Sequence, residues 1–185
     1  MRITGGIWRS RAIKAPKGMT TRPTSDRVRE ALFSMLAADG VVGGSSTPRV
    51  LDLYAGSGAL AFEALSRGAS RAVLVEHGRD AIGAIRDNAR ALDAAARVEL
   101  VTTKVERAVA QLQGPFDLIF ADPPYADVRT PPFAAILEGI ARILGPEGTF
   151  VLEHSSNDDA PVIAALEFDR SREYGDTTLS LYRCS

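Results

Sequence analysis

Between residues 50 and 65 an apolar segment, Val50-Leu51-Asp52-Leu53, runs into Tyr54-Ala55-Gly56-Ser57-Gly58 and then Ala59-Leu60-Ala61-Phe62-Glu63-Ala64-Leu65. This reads as strand, glycine turn and helix, and no other stretch constrains the fold as much. Gly56 and Gly58 permit positive φ and let the backbone approach a ligand with no Cβ in the way. The helix start behind them offers free N–H groups. The alternation then continues. Strands are predicted near 49–54, 71–76, 97–101, 116–121 and 147–154, and helices near 58–68, 78–94, 104–112 and 132–143. Such alternation implies a doubly wound α/β fold on a mostly parallel sheet. Phe168 to Tyr174 and Thr177 to Arg183 flank Gly175-Asp176 and read as an antiparallel hairpin added at the end, for seven strands.

The glycine turn also fits a cofactor pattern. Gly56-Ser57-Gly58-Ala59-Leu60-Ala61 matches G-x-G-x-x-G/A, and Glu76, closing the strand Ala72 to Val75, stands where an acid for ribose hydroxyls is expected. Nicotinamide dinucleotides and S-adenosylmethionine both fit this far. Asp52 favours the second, because a carboxylate just before the turn repels a pyrophosphate but attracts an ammonium and a sulfonium.

A second motif specifies the acceptor. Phe116-Asp117-Leu118-Ile119-Phe120-Ala121 ends in Asp122-Pro123-Pro124-Tyr125. Each proline fixes φ and removes a donor, so the loop is stiff and rich in carbonyl oxygens. It holds a carboxylate, bare carbonyls and an aromatic face in fixed relation, a set suited to a planar group bearing an exocyclic amine. The loop alone does not separate purine amines from an amide.

Together, D-x-x-x-G-S-G, the acid after the second strand and D-P-P-Y after the fourth resemble a class I, Rossmann-like methyltransferase that methylates amino groups. Arg2-Ile3-Thr4-Gly5-Gly6-Ile7-Trp8-Arg9-Ser10-Arg11, Arg22-Pro23-Thr24-Ser25-Asp26-Arg27-Val28-Arg29-Glu30 and Tyr174-Gly175-Asp176-Thr177-Thr178-Leu179-Ser180 narrow the resemblance to the RsmD family, across essentially the whole chain. That resemblance implies methyl transfer from S-adenosylmethionine, leaving S-adenosylhomocysteine, to the N2 amine of one guanine in 16S ribosomal RNA, guanine 966 for the family. It implies no metal, and a substrate that is naked RNA or a small subunit assembled wholly or in part. Tyr54, Ala55, Gly56, Ser57 and Gly58 would face the methionine part and ribose, with Asp52 beside them and Glu76 on the ribose hydroxyls. His77 either shields the ribose or is a plain surface histidine. Lys104-Val105 would lie at the adenine, Lys104 standing where many methyltransferases present an acid. Asp122 and the Pro123 carbonyl would accept the target amine protons, with Asp122 near the cofactor too, and Tyr125 would stack on the base, which leaves its own stack to enter. His154 reads as a satisfied polar strand end.

Charge is distributed unevenly. Net charge is −1, yet residues 1–30 hold eight of the 22 Lys/Arg and two of the 23 Asp/Glu, a net of +6 against −7 for the rest. A basic arm on an acidic body suggests a phosphate-binding element, with Arg2, Arg9, Arg11, Lys14, Lys17, Arg22, Arg27 and Arg29 as RNA contacts. Trp8 reads either as a stacking platform for a base or as the packing anchor of a short hairpin. Thr24 or Ser25 can cap a helix through Val28, Leu32, Met35 and Leu36. The expected division is a basic hairpin and helix over 1–38, a Gly43-Gly44-Ser45-Ser46 linker over 39–48, and a methyltransferase domain over 49–185 whose core does not need the hairpin.

The one cysteine, Cys184, and two histidines exclude an internal disulfide and disfavour a zinc site. No apolar run reaches membrane-spanning length and no signal peptide is legible, so a cytoplasmic protein, a monomer without membrane contact, is expected. Competing readings are an adenine-N6 or glutamine-N5 methyltransferase, a nicotinamide oxidoreductase, which Asp52 and the tail hairpin disfavour, and a non-catalytic RNA-binding protein.

Overall fold

A computed structural model of the chain describes residues 1–16, 26–128 and 130–184. In chain order the elements are α1 (Asp26–Ala38), β1 (Arg49–Leu53), α2 (Ala59–Ser66), β2 (Arg71–Val75), α3 (Arg79–Ala91), β3 (Val98–Val101), α4 (Val105–Gln111), β4 (Phe116–Ala121), α5 (Pro131–Ile143), β5 (Leu144–Ser155), β6 (Leu166–Tyr174) and β7 (Thr177–Cys184). The seven strands form one sheet in the order β3-β2-β1-β4-β5-β7-β6. β1 to β5 are parallel; β7 enters antiparallel to β5, and β6 antiparallel to β7. The chain moves outward from β1 to β3, then returns to the other side of β1 with β4. The β1/β4 boundary is therefore the switch point, beyond whose carboxyl ends open α/β sheets hold ligands.

Side-chain alternation along the strands assigns the two faces. Leu51, Leu53, Ile119, Ala121, Phe150 and Leu152 pack against α4 and α5. Val50, Leu74, Leu118, Phe120 and Val151 pack against α1, α2 and α3. Asp52, in step with Val50, and Glu153, in step with Val151, project on that second face. β5 begins earlier than the predicted residue 147. Leu144-Gly145-Pro146-Glu147-Gly148 has turn composition, yet Leu144 already pairs with Phe116, and an irregularity before the Leu118–Thr149 pair absorbs the proline. α3 ends short of the predicted residue 94, because Asp93 takes a left-handed φ of 54° and the Ala94 N–H returns to the Ala89 carbonyl.

The N-terminal segment is not a detachable arm. Ile3, Trp8 and Ile13 are buried in the same cluster as Leu32, Phe33, Phe62, Leu65, Leu74 and Phe120. Its hairpin is reduced to one antiparallel bridge, Arg2 with Ala12, around a 3-10 turn at Gly6–Trp8. The expectation that the body's core does without this hairpin fails for that reason. The Gly43–Ser46 region likewise folds onto the core, through a bridge between those two residues and a buried Val42. The helix caps predicted at Thr24 and Ser25 lie outside the described residues. Among the described residues, no helix is long and apolar enough to cross a membrane.

Candidate active site

Four acidic groups converge at the carboxyl ends of the central strands. Asp52 is 2% exposed, and its Oδ2 accepts the Ala61 N–H, in the first turn of α2, at 3.1 Å. Burial raises its pKa to about 8; the Ala61 bond opposes the rise and the charge of Glu76 adds to it. This carboxyl already occupies the helix end where a pyrophosphate would have to sit. Glu76, just past β2, is held by three backbone N–H groups. Its Oε2 accepts Gly56 N–H at 2.9 Å, and Oε1 accepts the N–H groups of His77 and Gly78, each at 2.7 Å. Glu76 thus pins the glycine turn and keeps one lone pair, on Oε2, for a ligand hydroxyl. Asp122 follows β4, and its pKa is raised well above the carboxylate range by burial first and then by the charges of Glu153 and Asp52. Glu153, buried near the end of β5, was not singled out in the sequence.

The turn between β1 and α2 is bent in a way few residues accept. Tyr54 has φ 61°, Gly56 56° and Gly58 77°. A non-glycine residue at such an angle is strained by about 1–3 kcal/mol and is most often found at functional sites. Gly58 has a second reason to be glycine: a Cβ there would lie 2.6 Å from Phe62 and 2.9 Å from Leu74. Tyr54 is half-buried, and burial, with Glu106 and Asp127 nearby, raises its hydroxyl pKa. Ser57 is held from behind by Asn88, whose Nδ2 donates to the Ser57 carbonyl at 3.0 Å.

The other predicted cofactor positions divide. Ala55, Ser57 and Gly58 are buried within the turn; Val105 is buried at the start of α4, and Lys104 before it is exposed. His77 is an exposed residue whose Nδ1 lies 3.6 Å from Glu76. His154 is buried, bonded through Nε2 to the Ser180 hydroxyl at 2.8 Å and through Nδ1 to the Ser155 carbonyl at 3.0 Å, and so is a satisfied polar end. In the D-P-P-Y loop Pro123 is buried, while Tyr125 is 37% exposed and shares a 2.8 Å hydrogen bond with the Thr177 hydroxyl. Among the described residues no group of His, Cys, Asp and Glu is arranged to hold a metal.

Among the described residues, the basic residues of the N-terminus divide between exposed and buried positions. Arg2, Arg9, Arg11, Lys14 and Arg27 are exposed; Lys17 and Arg22 lie outside the described residues. Lys14 pairs with Asp87 at 3.1 Å, and Arg11 donates to the Ala91 carbonyl. Two of the predicted RNA contacts are buried instead. Trp8 is 7% exposed, with the Arg97 guanidinium 4.8 Å from its ring centroid, so of its two readings the packing anchor holds. Arg29 is fully buried and donates to Glu63, Asp26 and the Arg2 carbonyl. Glu63 was missed by sequence reasoning, and it is what docks the segment. Fully buried on α2, it accepts the Thr4 N–H at 2.8 Å, the Thr4 hydroxyl at 2.7 Å, the Gly5 N–H at 2.8 Å and Arg67 Nε at 2.9 Å. A single acid in the otherwise apolar Ala59–Ser66 was the available signal, since buried charges are paired.

The sheet order, the glycine turn at the switch point and the antiparallel β7 define a class I methyltransferase. Residues 1–183 match the family described as Conserved hypothetical protein 95. The chain is 32% identical to YlbH of Bacillus subtilis, over 99% of this chain and 98% of that protein. It is 40% identical to Ribosomal RNA small subunit methyltransferase D of Escherichia coli over 125 residues, a stretch that spans 68% of this chain and 60% of that protein. The solved structure of Escherichia coli yhhF superposes with a TM-score of 0.82 at 33% identity, covering 100% of this chain and 98% of that one. The chain belongs to this family, the RsmD family of methyltransferases.

Proposed function

We propose that this protein transfers a methyl group from S-adenosylmethionine to the exocyclic N2 amine of a guanine in 16S ribosomal RNA, guanine 966 in the family. The observation that carries the proposal is Asp122-Pro123-Pro124-Tyr125 at the β1/β4 switch point, with a half-buried carboxyl at one end of the loop and an exposed ring at the other. The name of the Escherichia coli relative supports ribosomal RNA as the substrate.

The residues of the turn fit the cofactor. The charge of Glu76 raises the pKa of Asp52, and those of Glu153 and Asp52 raise that of Asp122, so a cationic ligand relieves these two carboxyls and a phosphate worsens their position. Asp52 and the Tyr54–Gly58 backbone would hold the methionine part, and the remaining lone pair of Glu76 would take a ribose hydroxyl. Lys104 and Val105 would border the adenine, Val105 offering it an apolar wall. S-adenosylmethionine supplies a methyl group on a sulfonium, an electrophile that needs no metal. The chain's part is to present the nitrogen. Guanine N2 is a poor nucleophile because its lone pair is delocalised into the ring. Asp122 and the Pro123 carbonyl accept its two protons and draw that pair back onto nitrogen. Tyr125 would stack on the ring and orient the nitrogen for attack on the methyl group. The proton lost from nitrogen would pass to Asp122 in its ionised form, which a cationic cofactor nearby favours against the protonated form that burial favours. The exposed Arg2, Arg9, Arg11, Lys14 and Arg27 would contact phosphates, and the setting would be the cytoplasm, on an assembled or partly assembled small subunit.

The test is methyl transfer from labelled cofactor onto 16S RNA and onto small subunits from a strain lacking the gene, followed by nucleoside mass analysis. N2-methylguanosine is expected. Label on adenine, on a glutamine side chain, or nowhere refutes the proposal.

A further inference from the structure

Thr177 lies outside the D-P-P-Y motif and belongs to no cofactor pattern, yet its hydroxyl is 2.8 Å from the Tyr125 hydroxyl. Its position is set by the sheet. As the first residue of β7 it pairs with Ser155 at the end of β5 and with Tyr174 at the end of β6. The turn before it is fixed by Gly175 at φ 65° and by the Ser156 N–H, which donates to the Asp176 carbonyl at 3.0 Å. Thr177 is thus a rigid point on the rim, two strands away from Asp122. Tyr125 leans from the β4 loop across the end of β5 to reach it. Asp127 N–H to the Pro124 carbonyl at 2.8 Å tightens the loop behind the ring.

A tyrosine side chain has two torsions, and Pro124 before it constrains only the backbone. A hydrogen bond at the far end of the ring restrains both torsions and so helps set the plane on which a base can stack. We infer that Thr177 is a positioning residue for the target base: its hydroxyl locks the Tyr125 ring, and the β6–β7 turn and the D-P-P-Y loop form the two jaws of the acceptor pocket. This rests on the methyl-transfer reading above. It also gives the antiparallel β7 a task in that reaction, because only a strand entering from this end presents its first residue beside the loop.

The experiment uses the full chain with Thr177→Val, Thr177→Ser, Tyr125→Phe and the double variant Thr177→Val/Tyr125→Phe. Valine keeps the branched shape that suits a strand and removes only the hydroxyl. Thr177→Val should lower kcat about five- to tenfold, as expected for one lost hydrogen bond in the reactive geometry. Cofactor Kd and RNA KM should stay within about twofold, since neither is fixed by this ring. Thr177→Ser should restore kcat, and the double variant should be no slower than Tyr125→Phe alone. Independently of substrate, the Tyr125 ring resonance in 13C-tyrosine-labelled protein should shift in Thr177→Val and return in Thr177→Ser. A wild-type kcat in Thr177→Val, an equal loss in Thr177→Ser, or a loss appearing in cofactor Kd overturns the inference. If the wild-type chain methylates no RNA, the function proposed above fails, and an unmoved Tyr125 resonance in Thr177→Val then overturns the tether on its own.

Discussion

Replacing Asp52 by Asn should make the cofactor-free protein more stable at alkaline pH while weakening its hold on the cofactor. Folding lifts the Asp52 pKa from 3.8 to about 8, chiefly because the group is buried. The folded state therefore retains a proton that the unfolded chain releases across that range, and stability falls as pH rises from about 4 to about 8. Each pH unit costs about 1.4 kcal/mol, so the whole interval sets a ceiling of about 6 kcal/mol. Asn carries no such proton, and its amide oxygen still accepts the Ala61 N–H. The stability difference between the Asp52→Asn variant and wild type should accordingly grow with pH from about 4 and level off above about 8. A growth of about 2–4 kcal/mol leaves room for water entering the open site and corresponds to roughly 4–16 °C in Tm for a chain of this size. Urea denaturation of both proteins at pH 5, 6, 7, 8 and 9, without cofactor, measures it. At pH 8 the cofactor should then stabilise the wild type more than the variant, because a cation beside Asp52 favours the ionised form. A stability difference that does not change with pH would mean that Asp52 is already ionised in the folded protein, and the account of a strained acidic site would be wrong.

Asp122→Ala should lower methyl transfer by about 10²–10³ with only a modest change in cofactor affinity, read from single-turnover rates and calorimetry; turnover at the wild-type rate would remove Asp122 from the chemistry. Glu76→Ala should weaken cofactor binding by about 1.5–3 kcal/mol and leave RNA affinity nearly unchanged, and because Gly56 loses its anchor the glycine turn should also exchange its amide protons faster. An unchanged calorimetric affinity would reduce Glu76 to a strand-end residue. Trp8→Ala should cost about 3–5 kcal/mol of stability by urea titration, whereas an RNA-binding defect at full stability would restore the stacking role. Deleting residues 1–16 should leave a protein that fails to unfold cooperatively, since Ile3, Trp8 and Ile13 leave the core together.

The alternation of strand and helix was legible because it rests on local periodicity, which burial on a two-faced sheet enforces at every turn. The switch point followed from it, and so did the neighbourhood of Asp52, Glu76 and Asp122, each at the end of a strand whose order the connection rules restrict. What could not be read was which face of the N-terminal segment is covered. Trp8 between basic residues has the composition of a nucleic-acid contact and of an anchor alike. The deciding partners, Ser66 and Arg97, lie 58 and 89 positions downstream. Arg29 illustrates the same limit: charge counting assigns it to solvent, and only the buried Glu63 reverses that. Glu153 was hidden for another reason. Its place beside Asp122 depends on the register of β5 with β4, which no local pattern states.

The buried network also changes what the N-terminal segment does. Glu63 receives Thr4 and Gly5 in the middle of α2, the helix whose first turn is tied to Asp52 and whose start is the glycine turn. Asn88 makes a second link, accepting the Lys14 N–H at 2.8 Å, donating to the Lys14 carbonyl at 3.0 Å and donating to the Ser57 carbonyl at 3.0 Å. These side-chain hydrogen bonds join the segment to the turn, and a fully buried amide left with one partner missing costs about 1–3 kcal/mol. The stretch that supplies exposed Arg2, Arg9 and Arg11 is therefore part of the wall behind the glycine turn. An arm joined only by a flexible linker would bind RNA without regard to the cofactor. A segment clamped at Glu63 and Asn88 cannot shift without moving Ser57.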